Sequence, residues 1–236
     1  MIRKLIRHVG GTFFPPFCVH CGREGKWLCA LCEQKLTAFP HTICPSCNIR
    51  TIEGRLNPSC IDKTGLARFL AVYPLRNSVA AALIYGYKYR HGSILHQSIF
   101  TLMHTWIQEQ SLDALLTQKA ALVIPVPLHE RRERWRGFNQ AGLLARDIAR
   151  HYNLPLSENI LTRVKHTPSQ LEMPRLKERE ENMQDAFTVS EGATSKSKCV
   201  LLVDDVYTTG ATMRACAKAL REAGVREIWG MTFARG

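Results

Sequence analysis

Hydrophobic positions along this chain fall into three regimes. Up to about residue 62 they are scattered among cysteines, prolines and turn formers without a sustained period. From Thr64 to about Gln118 runs a stretch containing SVAAALIYGYKYRHGSILHQSIFTLMHTWI, whose apolar positions recur at helical spacing, as in Ile94, Ile99, Leu102, Met103 and Trp106. Positions three and four apart share one helix face, and a break near His91 and Gly92 divides the stretch into two predicted helices. Beyond it, short apolar runs alternate with amphipathic ones. ALVIPVPL reads as a buried strand ending in prolines, FNQAGLLARDIARHYNL as a helix and KCVLLVDDV as a strand. TMRACAKALREAGV then reads as a helix and EIWGMTFAR as a last strand. Strands separated by helices predict a parallel sheet with crossover connections. The expected architecture is an α/β domain over residues 63–236, a parallel sheet flanked by helices, with a small Cys-rich head over residues 1–62.

Composition narrows the classes. In 236 residues, 45% hydrophobic and 22% charged content excludes a disordered or fibrous chain. No run approaches the ~18 consecutive apolar residues of a membrane helix, so an integral membrane protein is not expected. The basic start MIRKLIRHVGG lacks the apolar core of a secretory signal, and a cytoplasmic location is the expectation. Lys+Arg 32 against Asp+Glu 20 gives a net charge of +12, which attracts polyanions: nucleic acid, anionic lipid or phosphorylated small molecules.

The most informative run is VLLVDDVYTTGAT, Val200 to Thr212. Four apolar residues predict a strand buried on both faces, and two acids follow at its carboxyl end, where open parallel sheets place their ligands. That exposed position implies that removing the acids opens no apolar cavity and strands no charge. A small, hydroxylated turn then opens a helix. Gly210 lets the backbone approach a ligand, and the amides of Thr208 through Thr212 can point at an anion at the positive end of the helix dipole. Thr208, Thr209 and Thr212 add hydroxyl donors. A phosphate on the turn with two carboxylates nearby suits a sugar phosphate. Neither the lysine-bearing phosphate loop of nucleotide hydrolases nor a G-x-G-x-x-G follows any strand. The plainer alternative makes Asp204 a helix-entry cap and the threonines ordinary turn formers.

This run resembles the phosphoribosyl-pyrophosphate (PRPP) motif of type I phosphoribosyltransferases. The resemblance implies that Asp204 and Asp205 take the ribose hydroxyls. It also implies that Val206, Thr208, Thr209, Gly210, Ala211 and Thr212 form the 5-phosphate site, with Mg2+ accompanying PRPP. VIPVPLHERRERWRGFNQA, RVKHTPSQ, the segment running to AFTV and the N-terminal C-x-x-C pairs extend the likeness over essentially the whole chain. Together they resemble the ComF family of competence-associated, phosphoribosyltransferase-like proteins. That implies PRPP binding and a part in the uptake or use of external DNA, alongside nucleoside metabolism.

PRPP carries a pyrophosphate as well as a 5-phosphate, so a second cationic site is needed. The segment after the Leu122–Val126 strand, expected as a loop, supplies Arg131, Arg132, Arg134 and Arg136, whose planar forks suit phosphate. Glu130 and Glu133 are interleaved, so one or two of these arginines, Arg131 and Arg136 foremost, are expected to touch ligand. Arg163 and Lys165 alternate on a short strand and share one face. Similarity to amidophosphoribosyl-type flaps adds Arg163, Lys165 and Gln170 as ligand candidates.

Seven of the nine cysteines lie between Cys18 and Cys60. Cys18-x-x-Cys21 and Cys29-x-x-Cys32 are paired knuckles that can deliver four thiolates tetrahedrally to zinc. Cys44-x-x-Cys47 and Cys60 look like the start of a second ribbon, but its partner position is Lys63. His41 as a fourth ligand, a vestigial site and interleaved pairing all remain open, and the simplest assignment is one structural zinc on the first four cysteines. Cys199 and Cys216 read as small core residues.

Two functions of different classes fit. The first is an enzyme that positions PRPP for magnesium-assisted attack by an acceptor nucleophile on its anomeric carbon, with release of pyrophosphate. The second is a non-catalytic PRPP sensor that binds single-stranded DNA beside other DNA-uptake proteins. Tyr85, Tyr87, Lys88, Tyr89 and Arg90 interleave aromatic with cationic side chains, as base stacking requires, although such tyrosines can equally pack the sheet.

Overall fold

The computed structural model describes residues 15–90, 92–119, 122–164, 186–190 and 199–236. Lys165 and Gln170 lie outside the described residues, as does the rest of the segment between Val164 and Ala186.

Four parallel strands form the sheet, in the order β1-β6-β5-β2: β1 (Arg68–Pro74), β2 (Leu122–Pro125), β5 (Cys199–Tyr207) and β6 (Glu227–Arg235). A separate antiparallel ribbon joins β3 (Leu161–Arg163) to β4 (Phe187–Val189). The segment at Leu156 adds a single parallel bridge to Val123 on the outer edge of β2. Strand β5 is central and apolar on both faces because each face is covered by helices. Leu201 and Val203 pack with Leu83, Tyr87, Ile99, Leu144 and Ile148, from α3 (Ser78–Tyr89), α4 (Gly92–Glu109) and α7 (Gln140–His151). Val200 and Leu202 pack with Met213, Cys216, Ala217 and Leu220 of α8 (Ala211–Glu222) on the other face. Cys199 and Cys216 are buried in these cores, as read from the sequence.

The head is laced to β1. Its short helices are α1 (Ala30–Glu33) and α2 (Pro58–Thr64). The Phe39 amide donates to Val72 O at 2.8 Å, and Trp106 Nε1 donates to Phe39 O at 2.7 Å. The Leu56 amide reaches Ala67 O, and buried Arg68 donates to Glu53 O.

Three elements depart from the sequence expectation. RFLAVYP, to which the sequence pattern assigns no element, is a strand, β1. DALLTQK forms a short helix, α5 (Asp113–Lys119), and the arginine-bearing segment forms α6 (Glu130–Arg136) instead of a loop. Helix α6 begins because the His129 side chain accepts from the Arg131 amide, and it ends at Gly137 with φ 80°. The break near Gly92 is present, but α4 is rotated from the expected phase. Leu95, Ile99, Met103, Trp106 and Ile107 are buried, and Ile94 is half exposed.

Candidate functional site

Strand β5 carries its two acids to the carboxyl end of the sheet and continues two residues further, to Tyr207. Successive residues of a strand point to opposite faces, and the neighbours follow that rule. Asp205 turns toward α3, where Lys88 Nζ lies 3.1 Å from its Oδ1. Asp204 turns toward the α8 side, into the electrostatic reach of Arg163 on β3 and of Cys216. Asp205 is buried, so the expectation that both acids stand exposed, with no charge depending on them, is corrected: removing Asp205 strands Lys88.

A tight turn follows. Gly210 has φ 74° and caps α8 without a side chain to accept from the helix amides. A Cβ there would come 2.1 Å from the Tyr207 hydroxyl, so only glycine lets the turn lie against that ring. Thr209 Oγ1 accepts from the Ala211 amide at 3.4 Å, and the Arg214 guanidinium donates to Thr209 O at 3.0 Å. Asp204, Val206, Thr208, Thr209, Gly210, Ala211 and Thr212 line one shallow cradle of about 20 Å³. The sequence-predicted phosphate residues are thus together, with Asp204 as one wall and Asp205 outside. A larger cavity of about 660 Å³ lies along the flank of α8, between Lys63, Phe187, Lys218 and Arg221. It is lined by Asp62 and Glu222 in place of Asp204, and it lacks the glycine-capped turn.

The electrostatics of the cradle are tense. Burial, then the Asp205 charge, push Asp204 up to about 7, against the opposing pull of Lys88, the Asp205 amide and Arg163. Burial and the neighbouring Arg132 both lower the pKa of Arg163. Arg163 on β3 thus lies within electrostatic reach of Arg132 on α6 as well as of Asp204, a cationic surround that suits a polyanion. Of the four arginines considered from sequence, Arg132 is the one in this field. Arg131 is exposed, and Arg136 donates to Gln140 Oε1 at 3.2 Å and lies over the Tyr89 ring at 5.2 Å. Sequence reasoning missed Lys88 as the partner of Asp205; its one signal was a cation in an acid-free stretch.

The tyrosines of α3 divide. Tyr87 is buried and its hydroxyl donates to Gln140 O at 2.7 Å. Tyr85 and Tyr89 are exposed, with centroids 5.1 Å apart, and Tyr89 meets Trp135 of α6 edge-on at 6.0 Å. Arg90 lies 5.3 Å from the Tyr85 ring. The result is a surface ladder of three aromatics flanked by two guanidinium groups.

In the head, the sulfurs of Cys18, Cys21, Cys29 and Cys32 all lie within 4.8 Å of one another, Cys21 and Cys29 at 3.7 Å. A tetrahedral zinc–thiolate site with bonds near 2.3 Å has sulfurs ~3.8 Å apart, so the four can hold a metal ion such as zinc. Their ionisation is mutually opposed. Burial and the adjacent thiols push Cys32 up to about 12. Burial also raises Cys18, but backbone amides at Cys21, Cys29 and His20 outweigh it and bring that thiol to about 6. A central cation is what lets four such sulfurs be thiolates at once. Cys44, Cys47 and Cys60 form a second group within 4.8 Å, with no His, Asp or Glu joining them among the described residues.

Known proteins agree with this construction. Residues 138–235 match the phosphoribosyl transferase domain family, which spans the start of α7, β5, the turn, α8 and β6. The Competence protein F of Haemophilus influenzae is 30% identical over 94% of this chain and 99% of its own length. This chain belongs to the ComF family. Other similar proteins are the DNA utilization protein YhgH of Escherichia coli K12, 26% identical over 87% of this chain and 90% of its own, and the Competence protein ComFC of Bacillus subtilis, 33% identical over 45% and 40%. The ComF likeness to Competence protein F runs through head and sheet alike, so the type I phosphoribosyltransferase-like fold and the Cys-rich head go together. Among the described residues no helix is long and apolar enough to cross a membrane.

Proposed function

We propose that this chain binds PRPP in the β5–α8 cradle and acts in the uptake or utilisation of external DNA from the cytoplasm. The observation that carries the reading is the glycine-capped turn, whose amides open a twelve-residue helix beside the carboxylate of Asp204. Helix amides favour a phosphate dianion, and an ionised acid within the same cradle accepts from ribose hydroxyls. The 5-phosphate goes to Thr208–Thr212 and the hydroxyls to Asp204. Asp205, clamped by Lys88, holds the strand end and adds negative potential from the opposite face. Arg163 and Arg132 serve the pyrophosphate, with Mg2+ arriving on PRPP; Arg131, Arg136, Lys165 and Gln170 are further candidates from the sequence. The Cys18–Cys32 site holds one structural zinc, which supplies folding energy that so short a head lacks.

In this arrangement the protein transfers phosphoribose with release of pyrophosphate. Asp204 lies under the ring, where an ionised carboxylate stabilises positive charge developing at the anomeric carbon, and the arginines receive the leaving group. The DNA context rests on the relatives called competence and DNA utilization proteins. A second reading, PRPP sensing coupled to single-stranded DNA without turnover, is favoured by the Tyr85–Tyr89–Trp135 ladder, since aromatic faces stack bases of any sequence. One experiment separates them: pyrophosphate release from magnesium PRPP, screened against free bases, nucleosides and single-stranded DNA, beside calorimetry of PRPP binding. Release with any acceptor supports transfer, and binding without release supports sensing. No binding at millimolar PRPP overturns both.

A further inference from the structure

The two cysteine groups are built on one plan. The Cys18 amide donates to Arg23 O at 2.8 Å, and the Cys44 amide donates to Ile49 O at 2.9 Å. The Gly22 amide returns to Cys18 O at 2.9 Å, and that of Asn48 returns to Cys44 O at 3.1 Å. Gly22 and Asn48 both hold left-handed backbone, at φ 73° and 62°. A bridge closes each turn, Phe17 to Glu24 and Ile43 to Arg50. A short helix then brings the remaining sulfurs: α1 with Cys29 as its cap and Cys32 inside it, and α2 with Cys60 inside it. The turn hydrogen bonds, the left-handed residue and the closing bridge of the first knuckle thus recur 26 residues later. An asparagine in left-handed backbone is strained where a glycine is not, and the repeat keeps that strain although a glycine fills the same place in the first copy.

Only one ligand fails to recur. Lys63, three residues after Cys60 as Cys32 is three after Cys29, is exposed on the last turn of α2. The Ser46 amide already points at Cys44 Sγ from 3.4 Å, a contact that stabilises a thiolate. Cys44 and Cys60 are buried, whereas Cys47 and Lys63, which stands where the fourth ligand would be, are both exposed, so that side of the group is reachable from solvent. Charge is matched too. Three thiolates around a divalent ion leave one net negative charge, against two for four thiolates, and the Arg235 guanidinium donates to the Asn48 side chain within the field of Cys44 and Cys47.

We propose that Cys44, Cys47 and Cys60 form a second metal site, a three-thiolate cradle for a thiophilic d10 ion such as Zn2+, with its fourth position open to exchange. The protein then carries two ions of unequal lability, where counting complete C-x-x-C pairs gives one. A three-ligand site with an accessible position is how proteins keep a metal exchangeable, and a closed four-thiolate site is how they keep it fixed.

The test uses the full chain saturated with Zn2+ and desalted, with metal counted by mass spectrometry and release followed with a chromophoric chelator. The expected result is two zinc ions per chain, one leaving on the order of tenfold faster than the other. Cys47→Ser, at an exposed position, should remove the fast ion and leave the slow one. Lys63→Cys completes the set and should bring the fast release down to the slow rate, with two ions still bound. With Co2+ in place of zinc, imidazole should perturb the visible bands of wild type and leave those of Lys63→Cys unchanged. One zinc per chain at saturation overturns the proposal. So does release that Lys63→Cys leaves unaltered. Neither outcome bears on PRPP binding.

Discussion

Lys88 Nζ stands 3.1 Å from Asp205 Oδ1, joining α3 to the central strand at the mouth of the candidate site, with the two side chains 19% and 7% exposed. A pair this buried is costly to break singly, because the survivor stays desolvated and uncompensated. Lys88→Met is therefore expected to lose on the order of 2–3 kcal/mol of stability. Asp205→Asn should lose a similar amount, and the double variant should recover most of it. Urea midpoints of the four proteins in a double-mutant cycle give the coupling directly, and additive losses would show that the pair contributes nothing.

Asp204 makes a pH prediction whose sign is fixed. A carboxyl raised to about 7, against ~3.9 in the unfolded chain, binds its proton more tightly when folded. Its contribution to stability is fully present below the unfolded value and is lost as pH rises through about 7. Asp204→Asn should therefore melt higher than wild type at pH 8 and nearly level with it at pH 4, by about 2–4 °C for each kcal/mol relieved. The same substitution should weaken PRPP tenfold to a hundredfold, about 1.5–3 kcal/mol for a lost bond to an ionised acceptor. Melting curves across pH and calorimetry at pH 8 read the two effects separately. Were Asp204 only a helix cap, PRPP affinity would survive and melting would fall.

Gly210→Ala places a methyl group against the Tyr207 ring and in left-handed backbone. The expected cost is about 1–2 kcal/mol from the backbone alone, with PRPP affinity falling further because the turn must move to admit the methyl. Denaturation midpoints with and without PRPP measure both, and an unchanged affinity would detach the turn from the ligand.

In the head, Cys21→Ser and Cys32→Ser should each turn the slowly exchanging zinc into one that leaves at least as fast as the ion of the three-thiolate group, so that a chelator strips both. A tetrahedral site with three of its four ligands binds far more weakly, and the head should become sensitive to proteolysis between Cys18 and Cys32. Mass spectrometry of the metal and limited digestion check this; full retention of zinc in both variants would remove the assignment.

Tyr89→Ala and Trp135→Ala should each weaken single-stranded DNA binding by about 1–3 kcal/mol, the worth of one stacked base. Binding by both wild type and variants should fall steeply from low to physiological salt, because counterion release drives it. Fluorescence anisotropy with an oligothymidylate at several salt concentrations tests both slopes and offsets.

Sequence made β5, α8 and the cradle legible because one short segment holds them all. VLLV demands burial on both faces, and TTGAT opens the helix that follows, so strand, turn and helix start are fixed by adjacent residues. RFLAVYP carries the same kind of continuous apolar run, but with helical periodicity just downstream it has no alternation to mark it as a strand. Helix α6 has no apolar face at all; it exists through the His129 cap and Glu130–Arg134 spacing, which pattern reading does not weigh. The pairing of Lys88 with Asp205 was beyond reach, since it depends on how α3 crosses the sheet. The division of Asp204 and Asp205 between opposite faces was within reach, because strand alternation alone implies it. The knuckle spacing, too, was written plainly in the cysteines, and the missing ligand at Lys63 with it.

Strand order also sets an order of assembly. β5, α8 and β6 are contiguous and can meet through a short closure, and β2 lies one long connection away. β1 has only β6 as its ladder partner, about 160 residues distant along the chain, and entropy makes such a closure late and slow. The head hangs on β1 through Phe39, Leu56 and Glu53, so it reaches its seat only when that strand docks. Its thiols accordingly spend the longest part of folding in open solution, exposed to oxidation. A knuckle that captures its metal first would be protected through that interval and would arrive at the sheet already shaped.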